Sequence, residues 1–180
     1  MDVYRSLFLH EHEFGLCSRV NDNALIWIPK NATDSIRSLG YKDDNFNSFE
    51  VKEYWAILRD PYSRWKSGIL ELLSRKQDKI NFVLNNLEQV EFDEHTVPQS
   101  NFLPIGVNIN FVSMNLEGIK RLEKKLKLLP LENNNNSKED INKAPILTKL
   151  EKHITPIITE RVKEYYAKDY YLLNKYKLLT

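Results

Sequence analysis

Residues Ala24 to Ile36 read ALIWIPKNATDSI, and this stretch decides how the rest of the chain is interpreted. Leu25 to Ile28 form a short apolar run, too short and too β-rich for a helix, so a buried strand is expected. Pro29 ends it. Lys30, Asn31 and a cluster of small polar residues follow. A short helical pattern then runs through Ile36 and Leu39 to a stop at Gly40. A strand, a tight turn and a helix start bring several backbone N–H groups to one spot, where the helix dipole adds positive potential. Such a turn suits an anion, and Lys30 places a full charge beside it. The nucleotide-binding pattern G-x-x-x-x-G-K-[ST] is absent.

Working outward, Tyr54 to Leu58 reads as a second core strand with Arg59 at its carboxyl end, where open α/β sheets place ligand-binding groups. Asp60 is a good N-cap and Pro61 a good first helical residue. Tyr62, Trp65, Ile69, Leu72 and Leu73 recur at helical spacing as a buried stripe, which puts Arg64 and Ser67 on the opposite face. A polar helix is expected over 76–91, with Ile80, Val83, Leu84 and Leu87 on one side. The stretch 92–104 has no periodicity and reads as a loop in which His95 alone titrates near neutral pH. Val107 to Met114 alternates as a third strand, Asn115 caps a helix over 116–129, and Thr155-Pro156 opens a last helix.

Alternating strand and helix patterns indicate an α/β fold, a three-layer α/β/α arrangement around a mainly parallel sheet. With 180 residues, a single domain is expected over 1–180, with a mobile Asn-rich loop near 132–143. The 26 Lys and Arg residues nearly cancel 25 Asp and Glu, so no global field argues for nucleic acid. Cys17 is the single cysteine and excludes an intramolecular disulfide. No apolar run approaches the ~20 residues of a bilayer span, and the N-terminus lacks a signal-peptide core. A soluble, cytoplasmic protein with no membrane partner is the expectation. His10 and His12 share a strand face at a spacing that can chelate a metal, but without a third convergent ligand no metal is assigned.

Three of these stretches also carry a family resemblance. IPKNATDSI resembles the 5′-phosphosulfate loop of sulfotransferases, LRDPYSRWKSG (Leu58 to Gly68) is similar to their 3′-phosphate motif, and DEHTVPQ (Asp93 to Gln99) resembles the D-x-H-x-x-P-Q segment of the carbohydrate-modifying branch. The ending YYAKDYYLL is similar to the helix that closes that branch. The resemblance spans roughly 24 to 174 and implies a compact member of the P-loop-like sulfotransferase fold, of bacterial or viral kind. The implied reaction moves a sulfuryl group from 3′-phosphoadenosine 5′-phosphosulfate (PAPS) to a hydroxyl on a carbohydrate or small metabolite, releasing 3′,5′-ADP (PAP) without a metal. Lys30 would stabilise the leaving oxygen. Asn31, Ala32, Thr33, Asp34 and Ser35 would hold the 5′-phosphosulfate, Arg59 and Ser67 the 3′-phosphate, and His95 would act as general base, with Glu94 as its rival. Asn142-Lys143 matches poorly a loop that reaches the nucleotide in relatives. Asp34 departs from the family pattern, because a carboxylate there repels a phosphosulfate unless it caps the helix or pairs with a cation. The competing readings are a nucleotide-binding module without transfer activity and a P-loop-type kinase.

Overall fold

A computed structural model describes residues 16–41, 43–45, 51–131 and 143–178; the side chains of residues 33, 34 and 43–45 lie outside that description. His10, His12 and the Asn-rich stretch 132–142 also fall outside it. Five strands form one sheet in the order β3-β1-β2-β4-β5: β1 (Leu16–Val20), β2 (Asn23–Ile26), β3 (Asp43–Asn45), β4 (Glu53–Leu58) and β5 (Ile109–Ser113). The pairs β2–β4 and β4–β5 are parallel, with Leu25 opposite Trp55 and Ala56 opposite Phe111. β1 runs antiparallel to both β2 and β3, so it alone is reversed and the sheet is mainly parallel. β1 and β3 lie in stretches where no strand was expected. The short turn at Asn21, with φ 56°, lets β1 fold directly back onto β2.

Side chains of β4 alternate between the two faces, as a pleated strand requires. Trp55 and Ile57 join Leu25 and Val112 beneath α1 (Thr33–Ser38) and α4 (Leu116–Leu126), which contribute Ile36, Leu122 and Leu126. Ala56 and Leu58 face the other way, with Ile26 and Ile28. They pack against Val97, Phe102 and, from α7 (Ala167–Lys175), Leu173. Helices and loops on both faces make the molecule compatible with a three-layer α/β fold. A third apolar cluster lies among helices. Trp65, Ile69 and Leu73 of α2 (Pro61–Arg75) meet Val83 and Leu84 of α3 (Ile80–Asn85), Leu150 of α5 (Ala144–His153), and Ile158 and Val162 of α6 (Pro156–Tyr165).

Local chemistry explains most element boundaries. The Asp60 carboxylate accepts from the Ser63 N–H at 2.7 Å, Asn115 caps α4 through the Gly118 N–H at 2.8 Å, and Thr155 caps α6. Three expectations need correction. The helix expected over 76–91 is broken into α3 and two 3-10 turns, and the chain leaves it through Val90 at φ 65°. The helix expected to reach residue 129 ends at Leu126, because Lys127 turns left-handed at φ 56°, and Leu129 is exposed. Arg64 is not on an outward face: it is fully buried. α2 is covered on more than one side, so helical spacing alone does not separate inside from outside there.

Candidate functional site

The β2 and β4 carboxyl ends lie side by side, and the chain continues from them into Pro29–Ser35 and into Arg59. The turn after β2 carries two non-glycine residues in the left-handed region, Lys30 at φ 66° and Ala32 at φ 61°, flanking Asn31. L-residues adopt this conformation at a cost, and such strain concentrates where a backbone is shaped for a ligand. The helix that follows starts without a side-chain cap, since Ala32 occupies the N-cap position. Asp34 therefore lies inside α1 rather than at its cap, and its side chain is outside the described residues.

Asn31 is buried and works as a tie. Its side-chain amide donates to the Ile57 carbonyl at 2.7 Å and to Gln99 Oε1 at 2.5 Å. Both donors are thus spent on the protein, and the amide fastens the turn to β4 instead of offering hydrogens to an anion. Oδ1 of Asn31 is buried without a hydrogen-bond partner. Gln99 continues the chain of contacts. Its Oε1 accepts from the Arg59 N–H at 2.9 Å and its Nε2 donates to the Arg59 carbonyl at 2.8 Å. The Arg59 guanidinium reaches back to donate to the Lys30 carbonyl at 3.3 Å. Burial, reinforced by the neighbouring Arg64 charge, lowers the Arg59 pKa from its usual value. The guanidinium remains charged.

The segment 92–100 is the unexpected part. A loop was foreseen there, but every residue in it is buried. Many of its polar groups find partners within the segment and on two helices. Thr96 Oγ1 accepts from the Phe92 and Asp93 N–H groups, each at 2.8 Å. From α2, Arg64 donates to the carbonyls of Pro29 at 3.0 Å and Val97 at 2.5 Å. From the chain's end, Asp169 accepts from the Gln99 and Ser100 N–H groups at 2.7 and 2.9 Å, and the Tyr166 hydroxyl donates to the Thr96 carbonyl. Gly68 is required where α2 crosses this loop, because a Cβ there would collide with the His95 carbonyl.

His95 sits in the loop with Nδ1 at 3.3 Å from Asp93 Oδ2 and 3.3 Å from Glu94 Oε1. Nε2 makes no hydrogen bond among the described residues. A ring oriented by carboxylates at one nitrogen is suited to accept a proton at the other. Asp93, Glu94 and His95 also place one ligand atom each within 4.8 Å of one another. Ser67 is half-buried on α2 and makes no side-chain hydrogen bond among the described residues, so it is not joined to Arg59 by any direct contact. Ser35 is buried at the start of α1.

Lys30 points its ammonium group towards Glu71 of α2, with Nζ 3.6 Å from Oε2. Lys143 reaches the same oxygen at 3.2 Å, and Arg75 donates to the other at 2.7 Å. Burial pushes the Glu71 carboxyl up, but Lys30, Lys143 and Arg75 outweigh it and hold its pKa at about 2.

No family model, curated protein or solved structure matches this chain. The case for its chemistry therefore rests on this arrangement. Lys30, Asn31 and Arg59 are brought together, and Gln99 joins them. Sequence reasoning missed Gln99, Asp169 and Glu71 as individual site residues. The first two lie within quoted motifs and signal themselves only through partners 40 to 70 positions away. Glu71 lies at helical spacing from Arg75, a pattern that surface ion pairs share.

Proposed function

We propose that this chain is a PAPS-dependent sulfotransferase of the P-loop-like sulfotransferase fold, transferring a sulfuryl group to an acceptor hydroxyl on a carbohydrate or small metabolite. One observation carries the reading. The three stretches that resemble sulfotransferase motifs are hydrogen-bonded to one another through Gln99, at the carboxyl ends of two parallel strands. Open α/β sheets bind ligands at that position. Lys30 stabilises the oxygen that leaves sulfur, and the strained turn 30–35 holds the 5′-phosphosulfate through its backbone and Ser35. Arg59 and Ser67 hold the 3′-phosphate. His95 takes the acceptor proton at Nε2 as the acceptor oxygen bonds to sulfur and the sulfur–phosphate oxygen bond breaks. Charge builds on the leaving oxygen, so positioning and fixed positive charge lower the barrier.

Calorimetry with 3′,5′-ADP, 5′-ADP and ATP with Mg²⁺ tests the proposal. Binding of 3′,5′-ADP in strong preference to the other two is the expected result. Arg59→Ala should then weaken 3′,5′-ADP several-fold to a few hundred-fold, the range of a charge-assisted hydrogen bond, while 5′-ADP barely changes. Preference for ATP with Mg²⁺ would make the protein a kinase. Nucleotide binding without sulfuryl transfer to any of a panel of hydroxyl acceptors would leave a binding module.

A further inference from the structure

We propose that the outer edge of β5, with the groove between it and α7, is a docking site for an extended peptide segment of a partner protein, which adds to the sheet as a further strand. β5 ends the sheet, and among the described residues it pairs only with β4. Just past its end the Met114 N–H donates to the Leu58 carbonyl of β4 at 2.7 Å. Backbone groups alternate in direction along a strand, so those of Ile109 and Phe111 are turned to the open side. Natural proteins blunt such edges with lysine, proline or bulges. Val107 to Ser113 reads VNINFVS and carries neither a charged residue nor a proline. The edge is left fit for pairing.

The face beside that edge supplies room for side chains. Ile109 and Phe111 lie at alternate positions and share one face of the strand. Lys168, Leu172 and Tyr176 recur every four residues along α7 and its C-cap, as one stripe. With the loop that carries Ile105, these residues line a groove of about 560 Å³, in which the Phe111 and Tyr176 rings meet with centroids 4.7 Å apart. Ile105 is 100% exposed, and an isoleucine left bare beside an apolar groove marks a contact surface. A strand laid along β5 directs every second side chain into the groove, where apolar residues fit. Lys168 is exposed at the same groove and makes no ion pair among the described residues, so an acidic residue of the segment complements it. A second copy of this chain would present VNINFVS, which alternates suitably but has no acid for Lys168. The occupant is therefore a partner's segment with alternate apolar residues and an acidic one.

A panel of fluorescein-labelled peptides tests the site by polarisation. In each peptide valine, isoleucine, leucine or phenylalanine alternates with threonine, with or without one aspartate. Saturable binding, several-fold tighter with the aspartate, is expected. Methylating the alternate backbone nitrogens that face β5 should weaken the best peptide by about tenfold, because it removes main-chain donors and keeps every side chain. Lys168→Glu should abolish the preference for aspartate, and Ile105→Ser should weaken all peptides several-fold. Both residues are exposed, and thermal melting checks that the variants remain folded. Hydrogen exchange supplies a second readout: the N–H groups of Ile109 and Phe111 should slow when peptide binds, while those of Asn110 and Val112 stay unchanged. Failure of every peptide, equal binding of the methylated one, or unaltered exchange at Ile109 and Phe111 overturns the proposal. So does a dimer in sedimentation that saturating peptide leaves intact while Ile105→Ser dissolves it, which would give the edge to a second copy.

Discussion

The side-chain amide of Gln99 pairs with both backbone groups of Arg59, accepting from its N–H at 2.9 Å and donating to its carbonyl at 2.8 Å. One side chain thus extends the sheet ladder past the end of β4, and the same Oε1 receives Asn31. Gln99→Ala should leave the buried amide of Asn31 and both polar groups of Arg59 short of partners. A loss of about 2–4 kcal/mol in urea-denaturation stability is expected. Gln99→Glu keeps the acceptor but sets a carboxylate against the Arg59 carbonyl, so it should rescue only part of that loss.

Arg64 should behave as a structural residue despite lying within the RDP motif. It is fully buried, and Nε and one terminal nitrogen are spent on the carbonyls of Pro29 and Val97. Arg64→Met leaves those carbonyls unpaired and should cost about 3–5 kcal/mol, read as a large fall in melting temperature. Arg64→Lys should rescue little, because a single ammonium cannot reproduce the planar fork.

His95→Ala should lower kcat by about 10²–10⁴-fold while leaving 3′,5′-ADP affinity near wild type, the signature of a lost general base. The acidic limb of the kcat/KM profile should vanish with it. If that limb survives in His95→Ala and disappears in Glu94→Gln, the base is Glu94.

Acid should strip the protein of the Glu71 contribution over a definite window. The folded-state pKa is held at about 2 against an ordinary 4.5, so folding favours the ionised form. The stabilisation is complete above about pH 4.5 and is lost as pH falls through the folded value near 2. After discounting for solvent screening, about 1–2 kcal/mol is at stake. The difference in stability between wild type and Glu71→Gln, measured from pH 7 down to pH 2, should shrink across that interval. A difference independent of pH would assign the effect of Glu71 to packing.

Legibility from the sequence followed the range of the interactions. Asp60, Asn115 and Thr155 act on backbone groups within a few residues, and their capping roles are readable from local chemistry. The parallel strands β2, β4 and β5 were readable because each is a short β-rich run between turn signals. Arg64 was misjudged because helical periodicity supposes one wet face, and α2 has residues buried on several sides, from Arg64 and Trp65 to Gly68 and Leu70. What covers the further side is the aperiodic segment 92–100, whose burial no local pattern announces. Glu71 escaped notice because its partners, Lys30 and Lys143, are far away in sequence. The strand β1 was hidden in an ambiguous stretch, and only its pairing with β2 explains Cys17 as a buried core residue.

The hold of Asp169 and Tyr166 on the 92–100 segment has a consequence for timing. Those bonds join residues 69 and 70 positions apart, and the residues that close them follow the whole of the segment they hold. During synthesis, Lys30, Arg59 and His95 leave the ribosome long before the helix that holds their scaffold. Closing so long a loop is also entropically slow. The centre therefore matures only once Tyr166 and Asp169 have followed it, and a chain stopped before Tyr166 carries every residue assigned to the chemistry without the means to hold them together.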